Sequence, residues 1–252
     1  MNMLTNYENA IKNLPLGRIL TKKELLTETF LLERSGQVEI YYAPHNAYQN
    51  PSAKIVIVGI CPGWTQTEIA FRTARQGLAE NWPQEEILKA CKKEARFAGT
   101  MRTNLIHMLD EIGLQDILAL ESCAQLFTCV DGLLHTTSLL PYPVFVRGKN
   151  YTGYNPSMRQ PLLKKYLDTF FTAELNVYRE PVLLIPLGKV VEEEAQRIIG
   201  ELGRTNITCL RGLPHPSGAN ARRLPQMREN GADLAEQVRR FGQKACPGQA
   251  HA

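Results

Sequence analysis

The chain has 252 residues, of which 44% are hydrophobic and 21% are charged, and its formal net charge is +4. This is ordinary globular composition, and the mildly basic balance permits nucleic-acid binding without arguing strongly for it. The six cysteines form no C-x-x-C pair, which argues against a disulfide framework or a zinc site and favours a reducing cytosol. Met1–Leu14 contains Glu8 and lacks a long apolar run, so we expect no secretory signal there, and no apolar stretch is long enough to span a bilayer.

The spacing of apolar residues predicts alternating helices and strands along the chain. In chain order we expect helices at 5–14 and 22–34, strands at 38–42 and 55–58, helices at 65–78, 83–97 and 102–112, a short strand within 126–134, a turn-rich segment at 139–156, a helix at 161–173, a strand at 181–187, a helix at 190–202, a strand at 207–210 and a helix at about 225–241. The second of these strands is a run of β-branched residues, which is typical of a strand buried in a parallel sheet.

This alternation predicts a three-layer α/β/α sandwich with a central, mostly parallel sheet and right-handed crossovers. No linker or internal repeat interrupts the chain, so we expect a single domain over residues 1–252. Within it we expect an N-terminal extension of about 1–37, a core of about 38–241 and a loose tail at 242–252, which is rich in Gly, Pro and Ala.

Two predicted strand ends carry segments that suit a binding site, residues 59–64 and 213–222. Ligands in open α/β sheets bind outside the carboxyl ends of the strands. The first segment is also consistent with an ordinary strand-to-helix turn. The second contains His215 between two prolines, which restrict its backbone, and histidine is well suited to donate a proton or hydrogen bond near neutral pH.

These segments belong to an ordered set of motifs that resembles the uracil-DNA glycosylase superfamily. Gly59-Ile60-Cys61-Pro62-Gly63 resembles the first motif of that family, and His215-Pro216-Ser217-Gly218-Ala219-Asn220 resembles its second. Between them, Arg96-Phe97-Ala98-Gly99 is similar to the segment that supplies an aromatic platform, and Pro186-Leu187-Gly188-Lys189 resembles the strand-end Leu-Gly of the family. The resemblance covers about residues 38–241.

Members of this superfamily flip a nucleotide out of the DNA stack and hydrolyse its N-glycosidic bond. The resemblance implies that Phe97 stacks on the base, with an ordinary core aromatic as the alternative, and that Ile60 and His135 also line the base pocket. It implies that His215 stabilises the departing base anion. Phosphate and DNA contacts would come from six residues, Gly63, Ser217, Gly218, Asn220, Arg222 and Arg223.

The sequence departs from the family pattern at two positions. Cys61 stands where active members commonly have Asp or Asn, and a buried thiol is a poor acceptor for orienting the attacking water. His135 stands at about the position of an Asn that reads uracil after a central strand, so the base need not be uracil. Nearby Glu68 is a candidate base, with a solvated helix carboxylate as the alternative.

The predicted protein is therefore a cytoplasmic monomer that acts on a nucleobase in DNA, with no cofactor, no metal and no membrane partner. The cysteines lack the arrangement of the cluster-bearing subfamilies, so we expect no iron–sulfur cluster. Three alternatives stay open: a hydrolase of free nucleosides or of another modified base, a nucleic-acid or nucleobase binding protein that has lost hydrolysis at Cys61, and an unrelated α/β domain with a small-ligand pocket. We expect Cys61, Phe97, His135 and His215 to line one cleft, and the segment 147–156 to border it or to be a surface loop.

Overall fold

The structure is a computed structural model that describes residues 3–245. Cys246 and the rest of the predicted tail from that position onward lie outside the described residues. The described chain is mixed α/β, as the sequence predicts.

The strands of the described chain belong to two sheets. They are β1 Leu31–Ser35, β2 Val38–Tyr41, β3 Ile55–Gly59, β4 Leu134–Ser138, β5 Val144–Val146, β6 Lys149–Asn150, β7 Val182–Pro186 and β8 Ile207–Cys209.

The helices connect these strands. They are α1 Met3–Lys12, α2 Lys22–Leu25, α3 Trp64–Ala79, α4 Gln84–Ala95, α5 Thr100–Glu111, α6 Leu114–Ile117, α7 Pro161–Tyr166, α8 Thr172–Leu175, α9 Lys189–Glu201 and α10 Arg223–Ala245. Short 3-10 segments occur at Pro44–Asn46, Cys123–Phe127 and Asp131–Leu133, and a π-helical turn at Leu167–Phe171 joins α7 to α8.

The chain divides into two compact units that each contain one sheet. The antiparallel unit comprises residues 3–49, 60–98 and 140–171, and the parallel unit comprises residues 50–59, 99–139 and 172–245. The prediction of a single domain over 1–252 stays a prediction.

The parallel unit contains the sheet that the sequence predicts. Its strand order is β4-β3-β7-β8, and each neighbouring pair is parallel. Every residue of the inner strands β3 and β7 is buried, as expected for a covered parallel sheet, and every residue of the edge strand β4 is buried as well. Helix α9 packs on β7 and β8. Because the strands run in one direction, their carboxyl ends lie at the same edge of this sheet.

The antiparallel unit contains a sheet of order β1-β2-β5-β6 and the helix pair α3 and α4. The predicted helix over 22–34 is wrong beyond its first turn, because residues 31–35 form β1 instead. Ser35 pairs with Val38 across a two-residue turn in which Gly36 has φ of +58°. A glycine at the first position of such a turn is typical of β-hairpins, so hairpin pairing overrides the helical spacing here.

Three other boundaries differ from the expectation. The predicted strand within 126–134 begins only at Leu134, after the turn that contains Asp131 and Gly132. The turn-rich segment 139–156 contains β5 and β6. Helix α10 continues to Ala245, four residues into the predicted tail. No helix within residues 3–245 is both long enough and apolar enough to cross a membrane.

Candidate functional site

The segment that follows β3, residues 60–64, is called the β3 loop. Its end is also the start of α3, where Gly63 is the N-cap residue. The Gly63 N–H donates to Gln66 Oε1 at 3.1 Å, and the Thr67 hydroxyl donates to the Gly63 carbonyl at 2.9 Å. The Gly63 amide, predicted to hold a phosphate oxygen, therefore already has a partner within its own helix.

The hairpin of β5 and β6 holds the other side of this loop. The Leu140 N–H donates to the Ile60 carbonyl at 3.0 Å, and the Trp64 N–H donates to Asn150 Oδ1 at 3.2 Å. The Cys61 thiol donates to the Tyr151 carbonyl at 3.9 Å. The segment 147–156 thus borders the β3 loop through Asn150 and Tyr151. Sequence reasoning indicated the segment but not these two residues, since nothing local shows what their polar groups bind.

Cys61 is a weakly acidic thiol in this setting. Burial of the sulfur raises the pKa of Cys61 to about 12, so the side chain is neutral at physiological pH. A neutral thiol that donates to a carbonyl is poorly suited to accept a proton from water. The expectation that this position differs chemically from the Asp or Asn of the resembled family is therefore consistent with its surroundings.

Glu68 lies on α3 of the same unit and is not solvated. Its side chain is buried, and Oε1 accepts hydrogen bonds from the Leu20 N–H at 3.1 Å and from Arg72 Nε at 2.9 Å. The expectation of a solvated helix carboxylate is wrong, because Glu68 anchors the segment before α2. These bonds also make it an unsuitable general base.

Phe97 lies in the turn between α4 and α5 with an uncommon backbone conformation. The side chain is 5% exposed, and φ is +48°. For a bulky residue a positive φ is a genuine outlier, and such strain clusters at binding and catalytic positions. The predicted stacking role of Phe97 stays a prediction that this strain supports. The sequence contains no signal for the strain.

The segment that follows β8, residues 210–222, is called the β8 loop. His215 is half-buried in it, and its Nδ1 accepts a hydrogen bond from the Ser217 N–H at 3.2 Å. A neutral imidazole that accepts at Nδ1 carries its proton on Nε2. Burial lowers the pKa of His215, which favours this neutral form near pH 7.

Four polar contacts hold the backbone of the β8 loop. Asn104 Nδ2 on α5 donates to the Pro216 carbonyl at 2.9 Å, and Asn220 Nδ2 donates to the His215 carbonyl at 3.1 Å. Arg223 Nη1 donates to the carbonyls of Pro216 and Ser217 at 3.4 and 3.3 Å. Asn220 and Arg223, predicted as DNA contacts, therefore brace the loop, and Asn104 was missed because it lies far away in sequence.

The remaining predicted DNA contacts of this loop have few constraints. Ser217 Oγ accepts a hydrogen bond from the Ala219 N–H at 3.2 Å, and Gly218 is exposed. The Arg222 side chain is 72% exposed and lies 3.8 Å from Glu229. Ser217 is partly exposed, and Gly218 and Arg222 are exposed, so solvent can reach all three. Their predicted phosphate contacts stay predictions.

Gly188 follows β7 and packs directly against His215. Its φ is +89°, and a Cβ at this position would lie 3.3 Å from His215 Cβ. Glycine is thus favoured here both by the backbone conformation and by the close approach of the histidine. The strand-end Leu-Gly of the sequence motif therefore positions His215 in the structure.

His135 does not follow a strand but lies within β4, paired with Val56 of β3. It is buried, its Nε2 lies 2.5 Å from Glu174 Oε1, and its Nδ1 accepts from the Asn50 N–H at 3.3 Å. The placement of His135 after a central strand is wrong, because β4 begins later than expected. Ser138, which pairs with Gly59, occupies the carboxyl end of β4.

The predicted site residues fall into both units. Cys61 and Phe97 lie in the antiparallel unit, and His135 and His215 lie in the parallel unit. Their convergence on one cleft stays a prediction. Among residues 3–245, no group of three or more His, Cys, Asp or Glu side chains has an arrangement that could hold a metal ion.

Comparison with known proteins places the chain beside a bacterial relative. No family model matches the sequence. The chain is 44% identical over 239 residues to the uncharacterized protein YoxB of Bacillus subtilis (strain 168), and the match covers 94% of this chain and 93% of that protein. Identity at this level over nearly both full lengths shows that the chain belongs to the same family as YoxB.

Proposed function

We propose that this protein is a DNA glycosylase of the uracil-DNA glycosylase type, which hydrolyses the N-glycosidic bond of a flipped-out uracil or other damaged base. Three of the motifs that carry the resemblance follow strands of the parallel sheet. The first begins at Gly59, Gly188 follows β7, and His215 follows β8. The proposal includes a three-layer α/β/α arrangement and the strand-end location typical of α/β binding sites.

The observation that carries the proposal is the state of His215. The Ser217 N–H fixes Nδ1 as the acceptor, so Nε2 carries the proton, and no partner for Nε2 occurs among the described residues. Hydrogen bonds from Asn104, Asn220 and Arg223 to backbone carbonyls hold in place the part of the β8 loop that carries the His215 ring. A prepositioned donor of this kind suits an oxygen that becomes negative during a reaction.

The chemistry follows from where charge develops. Cleavage of the N-glycosidic bond leaves the base with the bonding electron pair and leaves the sugar oxocarbenium-like. A water molecule then bonds to the anomeric carbon of the sugar and releases a proton to solvent, and the base anion takes up a proton. His215 Nε2–H donates to a carbonyl oxygen of the departing base and stabilises its negative charge. Phe97 stacks on the flipped base, and Ile60 contributes to the same apolar wall. Ser217, Gly218 and Arg222 bind the neighbouring phosphates.

In this proposal, the protein acts as a cytoplasmic monomer without a metal or another cofactor. Cys61, Cys91, Cys123, Cys129 and Cys209 are free thiols, which fits a reducing compartment. DNA is the proposed partner, and the formal net charge of +4 permits that association.

The test is incubation of the purified protein with oligonucleotides that contain one uracil, hypoxanthine or xanthine. Strand cleavage after alkali treatment, which reports an abasic site, supports the proposal. Free nucleosides are included in parallel, because release of base from them alone would indicate a nucleoside hydrolase. Intact oligonucleotides at stoichiometric protein concentration would contradict the glycosylase proposal.

A second candidate function is supported by Cys61. Its raised pKa and its donation to the Tyr151 carbonyl leave no strong acceptor at the position where the resembled family orients water. A protein with this site binds a base or DNA without hydrolysis. Retention of an oligonucleotide in a gel without cleavage after alkali would favour this binding function.

A further inference from the structure

A cluster of cationic groups surrounds the tip of the β5–β6 hairpin in the antiparallel unit. Lys22 Nζ donates to the Gly148 carbonyl at 3.1 Å and lies 5.8 Å from the centre of the Trp64 ring. Arg147 Nε donates to Gln37 Oε1 at 2.5 Å. Lys149 is exposed next to them. These contacts hold two of the three cations at defined places beside the β3 loop.

The segment that begins at the tip of this hairpin carries no carboxylate, and Glu39 on the neighbouring β2 is paired with Arg34. Residues 147–159 contain Arg147, Lys149 and Arg159 but no Asp or Glu. Within the described part of the chain, none of Lys22, Arg147, Lys149 and Arg159 lies in an ion pair.

Several other surface arginines have acidic partners. Arg34 contacts two glutamates, and Arg239 and Arg240 share Glu236. Exposed Arg179, Arg211 and Arg228 also lie in no ion pair among residues 3–245. The feature that suits the hairpin to an anionic partner is the grouping of Lys22, Arg147 and Lys149 around Gly148.

An exposed tyrosine lies at the tip of the adjoining turn. Tyr154 is 69% exposed, and it lies between Tyr151 and Pro156, whose hydroxyl and carbonyl are joined by a hydrogen bond of 2.7 Å. Tyr151 is itself buried, and its N–H donates to the Val144 carbonyl at 3.0 Å. The turn is therefore closed on itself and anchored to β5, so the backbone that carries the exposed Tyr154 ring is ordered before a partner binds.

We propose that this hairpin surface, formed by Lys22, Arg147, Lys149, Tyr154 and Arg159, binds an unpaired DNA strand. A base stacks on Tyr154, and the cations contact the phosphates on either side. Stacking platforms combined with positive charge are the general mode of single-strand binding, and a duplex offers no free base face to an exposed ring. The inference rests on the proposed function for DNA as the partner, but it does not require base excision.

The test is fluorescence anisotropy with a labelled oligothymidine that contains no excisable base, compared with a labelled duplex of the same length. Tyr154→Ala should weaken single-strand binding by about fivefold or more, while Tyr154→Phe, which keeps the ring, should bind as the native protein does. Lys149→Ala should reduce the slope of log K against log salt by about 0.7. Lys89→Ala on α4 removes another exposed lysine, which lies in no ion pair within the described part of the chain, and should leave the slope nearly unchanged.

Equal single-strand affinity of Tyr154→Ala and the native protein would overturn this inference, as would tighter binding of the duplex. Because the probe has no damaged base, this result is separate from the glycosylase test. If the protein excises a base but its single-strand affinity does not depend on Tyr154, the proposed function is supported and the binding surface is not. If single-strand binding depends on Tyr154 but no base is excised, the binding surface is supported and the glycosylase proposal is not.

Discussion

The β3 loop and the β8 loop both follow strands of the parallel sheet, but their polar groups have different partners. In the β3 loop, the Gly63 amide, the Trp64 amide and the Cys61 thiol all donate to neighbouring groups of the same unit. In the β8 loop, the hydrogen bonds fix the backbone and Nδ1 of His215 and leave Nε2–H as a donor. The β8 loop therefore keeps a ring N–H donor, whereas the polar groups named in the β3 loop are already hydrogen-bonded within their unit.

The sharpest test of this comparison is removal of the His215 ring. His215→Ala should lower the rate of base excision by about 10²–10³-fold, because a positioned donor to the developing anion is lost. Binding to DNA with an abasic site should change much less, since no base is then present to receive the hydrogen bond. Single-turnover kinetics and a filter-binding assay measure the two quantities.

His107→Ala is the matched control, because His107 is exposed on α5 in the same unit and lies outside the β8 loop. It should excise the base at the native rate. If His215→Ala lost excision and abasic-site binding to the same extent, His215 would be a structural residue.

The strands of the parallel sheet and the position of His215 at a strand end were predictable from sequence, because local sequence patterns encode both. The β-branched run of β3 and the strand before His215 gave the parallel sheet, and Pro-His-Pro marked a constrained histidine at a strand end. The error for His135, which was expected after a strand but lies within β4, has a different origin. Strand β4 reads as buried throughout, with His135 and Thr136 inside it, so no periodicity marks where it begins.

Other features of the site depend on contacts that are distant in sequence. Asn104 reaches the β8 loop across 112 positions, and Asn150 reaches Trp64 across 86. The positive φ of Phe97 occurs at a bulky residue in the turn between α4 and α5, where the local sequence contains no signal for it. The strand β1 was missed because a short hairpin turn outweighed a helical apolar pattern.

The comparison can be reversed by giving the β3 loop an acceptor. Cys61→Asn should raise uracil excision by about tenfold, because its amide NH₂ can still donate to the Tyr151 carbonyl while its oxygen accepts from the attacking water. Cys61→Asp should gain less, because its carboxylate would face that carbonyl and burial would raise its pKa. Initial rates on a uracil-containing oligonucleotide measure both.

Cys61→Ala is the control, since it removes the thiol without adding an acceptor, and it should show no gain. Combination of Cys61→Asn with Ser138→Asn tests base reading at the carboxyl end of β4, where Ser138 pairs with Gly59. If the folded double variant, with native melting behaviour, leaves uracil intact, the view of this site as a lightly altered uracil glycosylase is wrong.

A smaller effect should come from crowding His215 without removing it. Gly188→Ala places a methyl group 3.3 Å from His215 Cβ and puts a non-glycine residue at φ of +89°. The expected loss of unfolding free energy is about 1–3 kcal/mol, with a shift of the histidine that lowers excision more than it lowers DNA binding. Denaturant unfolding and single-turnover rates measure the two consequences.

Gly200→Ala in α9 is the matched control, because a Cβ there meets no atom within 4 Å. This substitution lies in a helix and should stabilise the protein by about 0.5–1 kcal/mol. Equal stability of the two variants would show that Gly188 is not under steric constraint from His215.

The smallest expected effect is a pH dependence that belongs to the β8 loop and not to the β3 loop. Burial lowers the pKa of His215 in the folded protein below its ordinary value of 6.5, so the unfolded chain binds more protons in the interval between the two values. Stability from this residue is therefore fully present above that interval and is lost as the pH falls through it. Protonation of Nδ1 also removes the acceptor of the Ser217 N–H, so excision should fall over the same interval. The raised pKa of Cys61 lies far above this range, so Cys61 contributes nothing to the pH dependence.

Thermal unfolding at about pH 5.5 and about pH 7.5 should show a smaller difference in melting temperature for His215→Gln than for the native protein, because glutamine does not titrate but can still accept from Ser217. An unchanged difference would assign the pH dependence to other groups and remove the evidence that His215 is held neutral.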